Sequence, residues 1–156
     1  MRFSTKVRYA VRAMVDLGGH ASDGVISRVD IAHRQSISAD YLAQIFHDLM
    51  VAGLVESVKG PHGGYRLTRP TSDVAVGDIV RAVEGPIMVV DCASHHDSVA
   101  EIAACPVAWL WQMVSQAVDE TVDNITLQML CQRSEAEKVL VIGEVAPGRE
   151  VVKTSD

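Results

Sequence analysis

Between positions 91 and 106 the chain reads DCASHHDSVAEIAACP. Thiols at Cys92 and Cys105, imidazoles at His95 and His96, and carboxylates at Asp97 and Glu101 fall within one short stretch. Thiolates and imidazoles are the soft and borderline ligands of transition metals, so the residue types point to a metal centre. The cysteines stand thirteen positions apart (105 − 92), too far for a CxxC knuckle. Cys131, the third cysteine, reads as an inert, half-buried thiol. An odd number of cysteines argues against a disulfide framework. Catalytic patterns are missing: there is no GxSxG, no HExxH, no phosphate loop and no defensible Ser/His/Asp set, so an enzyme is not expected.

The elements around this stretch give it a setting. Ser4 caps a first helix on which Val7, Ala10, Val11, Met14 and Leu17 recur at helical spacing, with Lys6, Arg8 and Arg12 off that stripe. Ser27 followed by Asp30 resembles a capping box and opens a short second helix. QSIS forms a turn. Ser38 then caps a third helix, where Ile37 and Leu42 occupy the two positions of a hydrophobic staple. Leu42, Ile45, Phe46 and Leu49 form its buried stripe, Gly53 ends it, and Asp40, Gln44, His47 and Val51 lie on the opposite face. Two short helices across a tight turn describe a helix-turn-helix. The next residues, LVESVKGPHGGYRLT, alternate as a β-hairpin whose tip combines Lys59 with His62 and the glycines Gly60, Gly63 and Gly64. The fold class that follows is mainly α with a small β-hairpin wing, a winged helix-turn-helix.

Downstream, VAVGDIVRAVEG makes an amphipathic helix with Val76, Ile79, Val80 and Val83 inward. Pro106 starts a long helix to about Asp123, along which Val107, Leu110, Trp111, Val114, Ala117, Val118 and Thr121 form a narrow, nearly heptad seam. A seam standing outside a completed winged helix points to pairing with a second copy. NITLQML begins a short helix capped by Thr126, and KVLVIGEV reads as a strand or a loose tail. The expected organisation is a winged helix-turn-helix DNA-binding domain over 1–85, a loop holding the candidate metal ligands over 86–105, a dimerisation helix region over 106–132 and a tail over 133–156.

Net charge is −6 over 156 residues, which taken alone argues against nucleic acid. The charge is uneven. Residues 1–69 hold nine Lys/Arg and six Asp/Glu (+3), and residues 70–156 hold five and fourteen (−9). An anion-binding first half therefore hides behind an acidic second half. Ser38, Tyr41 and Gln44 are the residues expected in the major groove of double-stranded DNA. Gln44 is the best base reader, because its amide bonds adenine bidentately. Ser4, Lys6, Lys59, His62, Gly63 and Gly64 are expected against phosphates. No apolar run approaches the roughly 18 residues of a membrane span, and MRFSTKVRYAV is no signal peptide, so a cytoplasmic protein without membrane contact is expected.

MRFSTKVRYAVRAMVDL, ISADYLAQIF, LVESVKGPHGGYRLTRP, VAVGDIVRAVEG and NITLQML together resemble the Rrf2 family of bacterial transcription regulators, the IscR, NsrR, RirA and CymR group. The similarity runs from Met1 to about Gln132, is sharpest at GPHGGYRL, and is nearest the IscR type. It implies a homodimer with a long crossing helix on a palindromic or near-palindromic operator. For many members it also implies an iron–sulfur cluster in the loop before that helix. Cluster-bearing members carry three cysteines there. Cys92 matches the first and Cys105 the last, while Ser98 stands nearest the middle one. Ala108 stands where the IscR type has a histidine, and Arg8 and Arg12 stand where some relatives lend a ligand from the partner's first helix. Arginine cannot be that ligand. Three chemistries remain for the loop. A two-iron cluster on Cys92, Cys105 and one or two of His95 and His96 is the one expected, since mixed Cys/His ligation occurs in Rieske centres. Zinc on two sulfurs and two imidazoles is the second. The third is a cofactor-free loop in a regulator controlled by a partner protein or by thiol oxidation.

Overall fold

A computed structural model describes residues 3–89 and 106–143 of the chain. Cys92, His95, His96 and Cys105 lie outside these residues, as do Met1, Arg2 and the segment from 144 onward.

Helix α1 spans Thr5–Gly19 and starts where expected: the Ser4 hydroxyl accepts the Val7 N–H at 3.3 Å. Its inward face is Val7, Ala10, Ala13, Met14 and Leu17, with Val11 half-buried at the margin. The helix runs through Gly18 because another element needs the room. A Cβ there would stand 2.9 Å from the Cys131 sulfur. Helices α2 (Arg28–Gln35) and α3 (Ala39–Val51) follow, capped by Ser27 and Ser38, whose hydroxyls accept the N–H groups of Asp30 and Tyr41. Leu42, Ile45, Phe46 and Leu49 of α3 are fully buried against α1 and α2. Each such side chain contributes about 1.5–3 kcal/mol by leaving water.

Strands β1 (Val55–Val58) and β2 (Gly64–Leu67) pair antiparallel, with Val55 opposite Leu67 and Val58 opposite Gly64. Ile26 adds a short third rung by exchanging both backbone hydrogen bonds with Tyr65, at 2.9 and 2.8 Å. The hairpin is therefore tied to the chain just before α2. Tyr65 also stacks on Phe46, ring centroids 4.2 Å apart, which ties it to α3.

Helix α4 (Val76–Glu84) buries Ile79, Val80 and Val83 on α1 and α3. The long helix α5 runs over Pro106–Asp123, with the bounds read from sequence. Helix α6 extends over Leu127–Gly143. Its start agrees with the sequence, since Thr126 accepts the Met129 N–H at 3.3 Å. Its length does not: up to Gly143, the short helix and the start of the strand or tail expected after it are one helix of 17 residues. The α5–α6 turn is clamped to the chain entering α4, because Val76 N–H donates to Ile125 and Leu127 N–H to Val74, both at 2.8 Å. Leu127 is fully buried in the same core as Met14 and Leu17. One apolar core thus unites the winged helix with the elements after position 106. Among the described residues no helix is long and apolar enough to cross a membrane.

Candidate nucleic-acid interface

The turn between α2 and α3 fixes how α3 is presented. Ser36 adopts a left-handed conformation (φ 55°, ψ 46°), the one non-glycine residue with positive φ among those described. Its N–H donates to His33, and Ile37 N–H donates to Ala32 at 3.0 Å, so the last carbonyls of α2 are satisfied as the chain reverses. Arg12 closes this corner from α1. Its guanidinium donates to the Gln35 side chain at 3.1 Å and to the Gln35 carbonyl at 3.2 Å, and lies over the Tyr9 ring. Arg34 donates in bidentate fashion to Asp16, at 2.8 Å to each oxygen, and anchors α2 to α1. Asp16 is buried, so this pair is a constraint on geometry and not a free charge.

The three residues expected in the groove have different local duties. Ser38 is the α3 cap. Tyr41 is half-buried and meets Tyr9 edge-on at 6.0 Å. Gln44 is exposed. Asp40, Gln44, His47 and Val51 are all exposed and fall on one stripe along α3, within about 60° of one another at 100° per residue. The face assigned to them from periodicity is therefore the outward one.

The residues expected against phosphates also divide. The Ser4 hydroxyl donates to the Glu84 carboxylate at 3.0 Å, which joins α1 to the end of α4. Lys6 forms an ion pair with Asp48 at 2.5 Å. Both side chains thus have intramolecular partners that a sequence reading does not reveal. Lys59 and His62 are exposed at the hairpin tip, where Gly63 N–H closes a turn onto the Gly60 carbonyl at 2.9 Å. Gly60 has φ 124° and open space around it. Gly63 and Gly64 have another reason to lack a side chain. A Cβ on Gly64 would lie 2.0 Å from the Ile26 carbonyl oxygen, and one on Gly63 would lie 2.4 Å from that of Val58. These two glycines let the wing fold onto its own backbone. Arg28, exposed in the first turn of α2, is a further cation on the helix-turn-helix that the sequence reading passed over. Its position after a helix-capping serine was the available signal.

Away from this face, Arg81 of α4 donates to Asp119 at 2.8 Å and to Asp123 at 2.6 Å on α5, and to Asp78 at 3.3 Å on its own helix. Hydrogen bonding to Asp123 raises the arginine further above its ordinary range, so the charge is permanent. The Cys131 thiol is likewise raised, first by burial and then by Glu135, which fits an inert thiol.

Residues 3–133 match the model of the Rrf2 family, described as iron-dependent transcriptional regulators. The chain belongs to the Rrf2 family. It is 39% identical over 139 residues to the HTH-type transcriptional regulator IscR of Photobacterium profundum, covering 89% of this chain and 80% of that one. Among solved structures it resembles CymR, the global cysteine regulator of B. subtilis, with a TM-score of 0.70 and 34% identity over 85% of this chain and 98% of the other. It also resembles T. potens IscR, with a TM-score of 0.68 and 34% identity over 95% and 94%. These relatives are transcription regulators and not enzymes, and this Rrf2 chain is a DNA-binding transcriptional regulator of the same winged-helix build.

Proposed function

We propose that this Rrf2 regulator binds a palindromic or near-palindromic operator as a homodimer, and that the segment from Cys92 to Cys105 sets its activity through an iron–sulfur cluster. The observation that carries the DNA half is the stripe of Asp40, Gln44, His47 and Val51. It is an outward ridge, polar but for Val51, on a helix whose opposite face is wholly buried. Gln44 reads a base on this view, while Lys59, His62 and Arg28 position the backbone. Ser38 and Tyr41 flank the ridge. Ser4 and Lys6 join in only by sharing or exchanging Glu84 and Asp48.

Two thiols and two imidazoles are a donor set that fits a two-iron cluster, with Cys92 and Cys105 as thiolate ligands and His95 or His96 completing the set. When bound, such a cluster supplies a one-electron redox change. The family's description as iron-dependent supports this reading. A cofactor-free switch is the second reading, and the first helix favours it. Arg12 is committed to Gln35, and Arg8 is an exposed cation, so α1 offers no ligand to a partner's loop.

Anaerobically purified protein tests both halves. A brown protein with visible absorption, colourless as Cys92→Ala or Cys105→Ala, is the expected result. Zinc at stoichiometric amount would replace iron in the reading, and a colourless, metal-free protein after reconstitution would leave the cofactor-free switch. In parallel, affinity for a selected duplex should fall with salt at a log–log slope of about −0.9 per phosphate neutralised, and Lys59→Ala should make that slope shallower. No selected duplex in any cluster state would overturn the DNA half.

A further inference from the structure

The reading ridge contains a carboxylate. Asp40 sits in the first turn of α3, exposed, in line with Gln44 and His47. Among the described residues its carboxylate makes no hydrogen bond and no ion pair. Lys6, the cation that reaches α3 from α1, pairs with Asp48 two turns further on. A negative side chain at the leading end of a helix that enters a phosphate-lined groove is repelled unless a base meets it with a donor. In the major groove cytosine offers its N4 amino group. Guanine and thymine present acceptors there, and adenine flanks its N6 donor with the N7 acceptor.

We propose that Asp40 is a specificity-determining residue that accepts a hydrogen bond from the N4 amino group of a cytosine in each half-site. This rests on the DNA-binding reading of α3. Four residues of helix rise separate Asp40 from Gln44, about 6 Å along the axis, so the cytosine lies within about two base pairs of the adenine read by Gln44. Discrimination comes mainly from repulsion: a base that presents an acceptor leaves a desolvated carboxylate facing negative charge. Asp40 therefore costs general affinity for DNA and adds selectivity.

A plain structural role competes with this. A carboxylate in the first turn of a helix interacts favourably with the helix dipole, whatever the DNA sequence. Asp40→Asn and Asp40→Ala separate the two roles. Asparagine keeps the shape, loses the charge and pairs with adenine in place of cytosine. Selection from a random duplex pool is run for the wild type and both variants, with circular dichroism confirming that each is folded. The wild type should select one cytosine per half-site near the Gln44 adenine and disfavour the other bases there by about tenfold. Asp40→Asn should shift that position toward adenine. Asp40→Ala should lose preference at that position alone and bind unselected DNA more tightly. Unchanged preferences in both variants, with affinity altered equally for all sequences, would reduce Asp40 to a helix-dipole charge and overturn the proposal. Absence of any selected site for the folded wild type would instead overturn the DNA-binding reading, and this proposal with it.

Discussion

Gly64 and Ser36 fix the hairpin and the helix-turn-helix turn, one by lacking a Cβ and one in spite of having it. Gly64 lies against the Ile26 carbonyl oxygen, with 2.0 Å available for a Cβ. Both residues are fixed by the rung between Ile26 and Tyr65, so neither can withdraw without breaking it. Gly64→Ala should therefore destabilise the fold by about 2 kcal/mol or more, within the range for overpacking, and detach the wing from α2. Ser36 is the reverse case. A left-handed conformation costs a residue with a Cβ roughly 1–2 kcal/mol, and glycine loses about 0.5–1 kcal/mol of chain entropy instead. Ser36→Gly should thus be more stable by about 0.5 kcal/mol. Urea titration of both variants checks the two signs; a Gly64→Ala variant as stable as wild type would contradict the packing of the wing. Residue-scale features were legible in the sequence only where their cause is local. The caps Ser4, Ser27 and Ser38 were, because a hydroxyl before an apolar stripe bonds three residues ahead. The partner of Ser4 on α4 was not, since Glu84 lies eighty positions away. Nor was the reason for Gly63 and Gly64, which reads as loop freedom until the Ile26 and Val58 carbonyls are placed.

Helices α4 and α5 meet at a cluster of charge. Arg81 lies among Asp78, Asp119 and Asp123, and Arg69 reaches Asp78 from the chain before α4 at 2.7 Å. Gly77 makes the approach of α5 close enough, since a Cβ there would run into the Asp123 carboxylate. The side chains are each about a third exposed or more, so a single pair among them would contribute little. Three carboxylates around one guanidinium are different, because removing the cation leaves like charges facing one another. Arg81→Met should cost about 1–2 kcal/mol and loosen α5 from the winged helix. Added salt should recover part of the loss by screening that repulsion. Thermal melts of wild type and variant at low and high salt check it; a loss that salt leaves unchanged would mean that the arginine acts through packing alone. At this scale the sequence was clear wherever one period dominated, as in α1, α3, α4 and the bounds of α5. It misled in α6. Val139, Leu140, Val141 and Ile142 are consecutive apolar residues, three of them β-branched, and such a run fits a buried strand as well as a helix. The fixed start at Thr126 and the packing of Leu127 and Cys131 on α1 decide for the helix.

Taken as a whole molecule, the chain leaves α5 half dressed. Val118 and Val122 pack toward the core, but Val107, Leu110 and Met113 are about half exposed and Trp109 is 65% exposed. Phe3, just before α1, borders the same apolar groove with Met113, Val114, Ala117, Val118 and Thr121. The seam read from sequence included Val107, Leu110 and Val114 but missed Trp109 and Met113. A seven-residue template is narrower than the face that a free-standing helix exposes. A soluble chain rarely presents so many large apolar groups on one element without a partner. On the two-half-site operator proposed above, that partner is a second copy, since each copy carries a single α3 ridge. Leu110→Asp separates this role from folding. The residue is 46% exposed in the single chain, so the variant should melt near the wild-type temperature at concentrations where both are monomers. Pairing would bury an uncompensated carboxylate on both sides of the two-fold, a cost of about 3–5 kcal/mol, which is a hundredfold or more in the dimer dissociation constant. Sedimentation should show monomers where the wild type is dimeric. Operator affinity should fall toward that of one half-site, with the same base preferences. A wild-type chain that sediments as a monomer yet binds a full operator tightly would show that the exposed face of α5 serves something other than a second copy.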